Sequence, residues 1–407
     1  MFNGKKRFIL IATSFSEPGT MGGNTKIAIE MVRYLSERMP VVVIIPATRL
    51  PTLTGNLALN DGITVITTEI YKRNPRLHPF DETRFYHRQL KKLFSDLNVS
   101  SSDLVFTSSD FLYDALPMVI LKKTFHFTWI TSTFLFVPPP WENLIKRYKF
   151  PFFLYILVYI YQRSMFRLIK WRGDLFVVTS ECDRKYFSAK HQRRFFAIYG
   201  GVNIEQIEAV EREPATVKYD LIYCSRLHPQ KGLHQFLDVW KHVVQKQPDA
   251  KLAVIGNGAP DYEHYLHKKA ERLGIAQNIE WLGYVNNKEK YRLYRSSRFF
   301  VHPTVYDTNG MVAMEALCMG TWAIINDLPD LRDLYTDGCT KCDFSDHAAT
   351  ASVIDEMLRN PASYEMPRDL VLKLRKHWAW ENRMRLFERF LCAAEPIDNP
   401  IKKKRAQ

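Results

Sequence analysis

The sequence predicts an α/β protein with two Rossmann-like parallel-sheet domains. Short apolar runs alternate with longer helical patterns along most of the chain, which is the pattern of β-α-β units. The chain has 407 residues, more than a single hydrophobic core usually holds. A polar, charged stretch at 205–217 that contains Pro214 divides the runs into two series and indicates a linker between domains.

The apolar runs in each series predict buried strands. In the first series they lie at 7–13, 41–46, 63–68, 103–107, 126–132 and 175–180, and in the second at 219–224, 251–255, 279–282, 298–302 and 321–326. We therefore expect one domain at 1–204 and another at 218–365. We expect a C-terminal helix at 366–395 that packs back on the first domain, followed by a disordered basic tail at 396–407.

The composition is that of a soluble globular protein and does not fit the disordered or fibrous classes. Apolar residues make up 46% of the chain and charged residues 25%, as in soluble globular proteins. The net charge of +14 favours anionic partners, either phosphate groups, acidic lipid or nucleic acid. The six cysteines are scattered, as in proteins of a reducing compartment, and Cys339 and Cys342 form a lone C-x-x-C that we interpret as an incidental loop pair.

A turn at 301–320 carries the first candidate site residues. Asp307, Asn309 and Gly310 follow a strand, and the next helix contains Glu315. Backbone N–H groups at the start of a helix, with the positive end of its dipole behind them, can bind a diphosphate. The carboxylates can accept hydrogen bonds from sugar hydroxyls, or alternatively Asp307 is only a helix cap and Glu315 a buried, satisfied acid.

Two further loops follow strands in the same way. Arg226 and Lys231 lie between the strand at 219–224 and the next helix, where two cations can neutralise a diphosphate, although a solvated basic loop has the same composition. Gly22 and Gly23, with Gly19 nearby, lie between the first strand and the first helix. Their spacing is not the dinucleotide fingerprint, but paired glycines let the backbone approach a ligand closely.

The order of these segments resembles the retaining glycosyltransferases of family 4, which have the GT-B fold, with two Rossmann-like domains facing across a cleft. The resemblance covers nearly the whole chain and is densest from 219 to 333. The segments that carry it are Gly22-Gly23, Tyr199 to Asn203, Arg226 through Lys231-Gly232, Ile255 to Gly258, Trp281 to Gly283, and Asp307 through Glu315.

The resemblance implies a role for each matching residue. Arg226 and Lys231 would bind the donor diphosphate, Glu315 the ribose hydroxyls, and Asp307 would face the donor sugar. The residues implied in donor binding beyond these are Gly22, Gly23, Gly256, Gly283, Tyr284, Val285, Asn309, Gly310, Met311 and Val312. The implied reaction retains anomeric configuration and moves a hexosyl group from a nucleoside-diphosphate sugar. It needs no metal and no other cofactor, and the sequence has no D-x-D metal signature in a suitable place.

The chain departs from the family pattern at the first acid. Asp307 stands where the family has Glu, one methylene longer, and Thr308-Asn309 replaces Gly-Phe. A degenerate partner protein without turnover therefore remains an alternative, and an epimerase on the same fold is another. On the acceptor side, the histidine of many relatives is missing from 128–133. His126 is expected to be a core or strand residue, and Asp110 is an acceptor-side candidate.

The stretch 141–172 indicates a membrane surface. Its centre, 150–161, is apolar and aromatic, and its flanks carry Lys146, Arg147, Lys149, Arg163, Arg167, Lys170 and Arg172. Such a helix suits the interface of an anionic membrane, although a buried core helix is the alternative. We expect a protein peripheral to the cytoplasmic face of the membrane, with a glycan or lipid-linked acceptor. Nucleic-acid binding is the competing hypothesis, suggested only by the net charge.

Overall fold

The computed structural model describes residues 4–18, 21–70, 79–140 and 152–393. The chain divides into two compact units, one formed by residues up to Tyr199 together with those from Met384, and the other by Gly200–Arg383. The predicted Gly19, the flanking cations Lys146, Arg147 and Lys149, and the basic tail 396–407 lie outside the described residues.

The N-terminal unit is built on a seven-stranded parallel sheet in the order β3-β2-β1-β4-β5-β6-β7. The strands are β1 Arg7–Ile11, β2 Val41–Pro46, β3 Ile63–Thr68, β4 Asp103–Thr107, β5 Thr128–Thr133, β6 Leu175–Val178 and β7 Phe195–Ala197. The central strands are buried along their length, as expected for a parallel sheet covered on both faces.

Helices connect these strands and cover the sheet. Those described are α1 Gly23–Ser36, α2 Leu50–Thr54, α3 Pro79–Asp96, α4 Leu112–Phe125, α5 Phe152–Arg172 and α6 Ala189–Gln192. One hydrophobic core joins strand residues such as Ile9 and Trp129 to Phe166 and Ile169 of α5. Among the described helices, none is long and apolar enough to cross a membrane.

The C-terminal unit has a six-stranded parallel sheet in the order β10-β9-β8-β11-β12-β13. The strands are β8 Tyr219–Cys224, β9 Leu252–Ile255, β10 Ile279–Gly283, β11 Ser297–His302, β12 Trp322–Asn326 and β13 Cys339–Cys342. Because β8 lies between β9 and β11, the strand order reverses beside it, and ligands of open α/β sheets bind at the carboxyl ends of strands at such a point.

The helices of this unit include amphipathic ones with their apolar side chains on one face, which is the pattern that predicts a helix. They are α7 Ile204–Glu211, α8 Leu233–Lys246, α9 Pro260–Arg272, α10 Asn287–Arg295, α11 Met311–Cys318, α12 Pro329–Arg332, α13 His347–Arg359 and α14 Arg368–Trp378. In α8 the buried side chains recur three or four residues apart, at Leu233, Phe236, Leu237, Trp240 and Val243. That spacing places them on one face against the sheet.

The fold class is confirmed: both units are Rossmann-like, with parallel sheets and helical connections. Two strands were not predicted: β7 is apolar but only three residues long, and β13 is short and only partly apolar. β13 contains the C-x-x-C, whose cysteines are free thiols. The stretch 205–217 is not wholly a linker, since α7 occupies its first half.

The C-terminal segment differs from the single helix expected at 366–395. It forms α14 and α15, the latter Trp380–Ala393, with Ala379 extended between them. The backbone of Val202 accounts for the break, because its N–H donates to Trp378 O (2.8 Å) and its carbonyl accepts from Trp380 N (3.3 Å). α14 belongs to the C-terminal unit, whereas the part of α15 from Met384 belongs to the N-terminal unit.

Candidate functional site

Chemically active side chains gather at one edge of the C-terminal sheet. Lys231 follows β8 and Asp307 follows β11, the two neighbouring strands at which the order reverses. Parallel strands bring their carboxyl ends to the same edge. The structure therefore places the two most specific sequence motifs side by side, as their positions after β8 and β11 suggest.

Lys231 and Asp307 form an ion pair at this edge. The Lys231 Nζ to Asp307 Oδ2 distance is 2.5 Å, and the two side chains are 19% and 13% exposed. Asp307 Oδ1 accepts hydrogen bonds from the backbone N–H groups of Asn309 (3.2 Å) and Gly310 (3.1 Å). Burial alone would raise the pKa of Asp307, but the Lys231 ammonium and His302 outweigh it and hold that pKa well below its ordinary value.

His302 lies behind the pair, at the end of β11. Its Nε2 is 3.4 Å from Asp307 Oδ2, and its side chain is 1% exposed. Burial lowers the pKa of His302, and the nearby Lys231 charge lowers it further, although Asp307 opposes both effects. The imidazole is therefore neutral at pH 7. Sequence reasoning missed this residue, because a histidine at the end of a buried strand carries no motif of its own.

The turn before α11 is fixed by contacts from three directions. Gly310 has φ +57°, a left-handed conformation that favours glycine, and a Cβ there would lie 3.2 Å from His302 Nε2. The Tyr335 hydroxyl lies 2.8 Å from both Asn309 O and Gly310 O and can donate to either. Gly200 N donates to Asn309 Oδ1 over 3.1 Å. The turn is consequently held in one conformation by groups far away in the sequence.

This turn changes the expected roles of its amides. Four residues, Asn309, Gly310, Met311 and Val312, were expected to offer N–H groups to a diphosphate. The first two donate to Asp307 instead. Met311 and Val312, at the start of α11, remain the candidate donors of this set, since amides of a first helical turn have no partner within the helix.

A second ion pair lies deeper in the same unit. Lys290 Nζ of α10 is 2.6 Å from Glu315 Oε2 of α11, and the two side chains are 12% and 2% exposed. Burial by itself would lower the pKa of Lys290, but the Glu315 carboxylate outweighs that effect and raises it. Lys290 was missed in the sequence, because it belongs to a polar helix whose cations look solvated.

Arg226 is the other predicted cation. Its side chain is exposed in the loop after β8. Burial lowers the pKa of His228, and the positive charges of Arg226 and Lys231 lower it further, which places both cations near this ring. Arg226 therefore remains available to an anion that approaches the sheet edge.

The glycines after β9 and β10 allow close backbone contacts. Gly256 has φ +135°, and a Cβ there would overlap Ser225 O. Its N–H donates to Gly283 O over 2.8 Å, which ties the two loops together. Tyr284 follows at 72% exposure, and Val285 is half-buried beside it. The loops after β9 and β10 are therefore packed against each other at the same sheet edge, and the Tyr284 ring is exposed there.

The remaining predicted residues belong to the N-terminal unit. Gly22 caps α1, and its N–H donates to Ser16 Oγ over 2.8 Å, while Gly23 begins the helix. Asp110 follows β4, is buried, and accepts a hydrogen bond from Gln162 Nε2 over 3.0 Å. Burial raises the pKa of Asp110 to about 6. The approach of Gly22 and Gly23 to a donor or acceptor stays a prediction.

The expectation for His126 was wrong. It is neither in the core nor in a strand, but exposed at the C-terminal end of α4 with φ +55°. Its N–H donates to Lys122 O, so it closes the helix in the left-handed conformation common at such ends. As for metals, the described residues contain no group of three or more His, Cys, Asp or Glu side chains placed to hold an ion.

The comparison with protein families covers the C-terminal unit. Residues 204–377 match the family model for glycosyl transferases group 1. That range contains the Lys231–Asp307 and Lys290–Glu315 pairs and almost all of the C-terminal unit.

Individual relatives match over shorter stretches. An uncharacterized glycosyltransferase of Methanocaldococcus jannaschii is 30% identical over 114 residues, which is 28% of this chain and 28% of that protein. Glycogen synthase of Mycobacterium tuberculosis is 24% identical over 168 residues, 41% of this chain and 40% of the relative. The chain thus spans well under two thirds of the length of either relative.

Solved structures match over nearly the whole chain. Sucrose-phosphate synthase from Thermosynechococcus elongatus has a TM-score of 0.74 at 16% identity and covers 95% of this chain and 98% of its own. Anabaena HepE in complex with UDP and glucose has a TM-score of 0.69 at 14% identity, covering 95% and 99%. At these identities the likeness shows the GT-B fold.

Proposed function

We propose that this protein is a glycosyltransferase that moves a hexosyl group from a nucleoside-diphosphate sugar to an acceptor. The observation that carries the proposal is the cluster at the carboxyl edge of the C-terminal sheet. There Lys231, an exposed Arg226 and the first turn of α11 surround the point where the strand order reverses. The group 1 match over the same unit supports it, and so does HepE, whose solved structure contains UDP.

Lys231 can serve the diphosphate without leaving Asp307. An ammonium group has three N–H donors, and one of them suffices for the Asp307 carboxylate. The other two can bind phosphate oxygens, together with Arg226 and the amides of Met311 and Val312. These donors would stabilise the negative charge that grows on the leaving diphosphate, an effect that is usually the largest in such catalysis.

The two acids have different proposed roles. Glu315 is paired with Lys290 and would accept hydrogen bonds from the ribose hydroxyls. Asp307 would lie nearest the donor sugar. Because its carboxylate already contacts Lys231 and two backbone amides, its proposed role is to position Lys231 and the turn before α11. Tyr284 and Val285, with Gly256 and Gly283 beneath them, would border the base.

We further propose that the reaction retains anomeric configuration and needs no metal. The acceptor would attack from the face that the diphosphate leaves, and the leaving phosphate oxygen would take the acceptor proton. Cations of the protein would then neutralise the charge of the diphosphate. The acceptor proposed is a glycan or a lipid-linked sugar at the cytoplasmic face of the membrane, supported by the apolar side chains exposed on α5.

A donor screen tests this function. The full-length protein is incubated with UDP-, GDP- and ADP-sugars and a panel of soluble and lipid-linked acceptors, with and without EDTA, and nucleoside diphosphate release is measured. We expect acceptor-dependent release with one class of donor, unchanged by EDTA, and a product with the anomeric configuration of the donor. Donor binding without release under any condition would favour the alternative of a partner protein without turnover, which the shorter acid at Asp307 suggests.

A further inference from the structure

Helix α5 exposes an apolar stripe that is interrupted by Ser164 and Arg167 before it ends at Trp171. Phe153, Leu157, Ile160 and Trp171 are 70%, 46%, 55% and 63% exposed, and they recur at spacings of three, four or eleven residues. Residues so spaced lie on one side of a helix. Leu154, Val158 and Tyr161 widen the stripe at 47%, 41% and 39% exposure. Apolar patches of this kind mark interaction sites rather than ordinary surface.

The opposite side of α5 is anchored in the N-terminal unit. Phe166 and Ile169 are buried in its core, and the Phe166 ring packs edge-on against Phe136 and Phe187. Gln162 is also buried, and donates to Leu135 O over 2.7 Å. The exposed stripe therefore does not come from a loose helix. It is a fixed surface of the folded unit.

The charge of α5 favours an anionic occupant. Residues 152–172 contain four cations, Arg163, Arg167, Lys170 and Arg172, and no acid. Arg163 and Lys170 are engaged by the fold, since Arg163 lies over the Tyr186 ring and Lys170 donates to Tyr186 O. Arg167 is exposed along the stripe between Ile160 and Trp171, and Arg172 lies over the Trp171 ring at 4.1 Å.

Apolar side chains next to Trp and Arg match the depth profile of a bilayer interface. Leu, Ile and Phe enter the acyl boundary, while Trp and Arg reside at headgroup level. A protein partner would more often meet one compact hot spot with a polar rim. Instead, the stripe runs along a helix of 21 residues, roughly 30 Å at 1.5 Å per residue. The chemistry favours an anionic lipid surface.

The stripe continues towards the end of the sheet. Phe111 and Leu135 follow β4 and β5 and are 54% and 38% exposed. Their loops are tied to α5, because Leu112 N donates to the Tyr161 hydroxyl (2.6 Å) and Leu135 O accepts from Gln162. Asp110 accepts a hydrogen bond from the same Gln162 and directly precedes Phe111 in the loop after β4.

We propose that the outer side of α5, together with Phe111 and Leu135, docks on an anionic lipid bilayer and brings the loops after β4 and β5 to the headgroup level. The docking itself does not depend on the proposed reaction. Its consequence does rest on that function: an acceptor anchored in the bilayer would meet the N-terminal unit at the loop of Asp110 without leaving the membrane.

Vesicle flotation tests the docking surface. We expect the full-length protein to float with phosphatidylcholine vesicles that contain phosphatidylglycerol, and not with phosphatidylcholine alone. The variant L157E/I160E should bind vesicles at least roughly tenfold more weakly, since two apolar side chains that would enter the bilayer are lost. The matched control L59E/L372E changes two leucines of similar exposure (49% and 51%) elsewhere and should bind as the wild type does.

Charge and depth are measured separately. Arg167→Glu should weaken binding by roughly tenfold or more, whereas Arg88→Glu, the same change at an exposed arginine of α3, should weaken it less. Lipids brominated on the acyl chain should quench the fluorescence of the wild type more than that of Trp171→Phe. This measurement uses a conservative substitution, so it decides the matter even if L157E/I160E fails to fold.

Equal flotation of L157E/I160E and L59E/L372E, with both melting like the wild type, would overturn the proposal. So would quenching that persists unchanged in Trp171→Phe. Neither result touches the proposed reaction, which is assayed by nucleoside diphosphate release with a soluble acceptor and no vesicles. Conversely, docking with no release from any donor would leave the surface assigned and remove the proposed function.

Discussion

Lys231 has two duties in the proposed site, and they can be separated experimentally. It neutralises the Asp307 carboxylate and would also bind the donor diphosphate. Removing one member of a fully buried ion pair costs roughly 3–5 kcal/mol, because the other charge is stranded. With both side chains still 13–19% exposed, water screens part of that penalty, and we expect about 2–3 kcal/mol for Lys231→Met.

A double variant distinguishes stability from binding. In K231M/D307N the stranded charge is gone, and the amide oxygen introduced at position 307 can still accept from the backbone N–H groups. We expect the free energy of unfolding in urea to recover most of the loss, while nucleoside diphosphate affinity stays low. Recovery of affinity along with stability would mean that Lys231 is only a structural partner of Asp307.

The pH dependence of stability gives a second test at Asp307. Its pKa lies well below the ordinary value of 3.8 when folded, so the unfolded chain takes up a proton at higher pH than the folded one. Asp307 therefore stabilises the fold fully above about pH 5, and this contribution is lost as the pH falls from there towards the folded pKa. In that pH range we expect the wild type to lose its advantage over Asp307→Asn in the free energy of unfolding.

Urea unfolding between pH 7 and pH 3 measures this difference. The advantage should stay constant from pH 7 down to about pH 5 and then shrink by up to about 1.4 kcal/mol per pH unit. Asp61→Asn, at an exposed loop carboxylate, serves as the control for general acid effects. An advantage that is unchanged at pH 3 would show that the Lys231–Asp307 pair does not form in solution.

At the scale of elements, Gly232 fixes how the loop after β8 meets the end of β11. It has φ +74°, and a Cβ would overlap Pro303 O. Gly274, after α9, has φ +72° but no atom within 4 Å of its would-be Cβ. The two positions therefore share a backbone conformation and differ in crowding.

We predict that Gly232→Ala destabilises the protein far more than Gly274→Ala does. The left-handed conformation alone costs a non-glycine residue about 1–2 kcal/mol, which is all that Gly274→Ala should lose. Gly232→Ala must also push the loop of Lys231 away from β11, so it should lose several kcal/mol more and most nucleotide affinity. Chemical denaturation of both variants measures this, and equal losses would contradict the close packing of the two loops.

The elements also show what a sequence can and cannot predict. Apolar runs such as 41–46 predicted strands well, because a strand buried on both faces has no other pattern. Lys231 and Asp307 were assigned to one donor site through the family resemblance, and each follows a strand of the same parallel sheet. Lys290, His302 and Tyr335 were missed, since each reaches the site through tertiary packing that leaves no local signal.

For the whole molecule, the division into two units separates the two proposals. The proposed donor site lies within Gly200–Arg383, and the exposed stripe of α5 lies in the N-terminal unit. The net charge of +14 was the only sequence signal for nucleic-acid binding, and α5 offers the membrane alternative a specific surface. The facing of two domains across a cleft stays a prediction from the family resemblance.

Nucleotide binding should appear as a change in the stability of the whole chain. A ligand that binds only the folded state at 100 times its dissociation constant adds about 2.7 kcal/mol. For a unit of this size that corresponds to a rise of roughly 5–10 °C in Tm. We predict such a rise with the nucleoside diphosphate of the true donor, among UDP, GDP and ADP, and the same rise in the presence of EDTA.

The matching monophosphate is the control for this experiment. It keeps the base and ribose, for which Tyr284 and Glu315 are proposed, but it lacks the second phosphate that Arg226 and Lys231 would bind. At equal concentration it should raise Tm much less in the wild type, and the difference between the two nucleotides should be smaller in Lys231→Met. A monophosphate as effective as the diphosphate in the wild type would contradict the diphosphate site, because the cations would then contribute nothing to recognition.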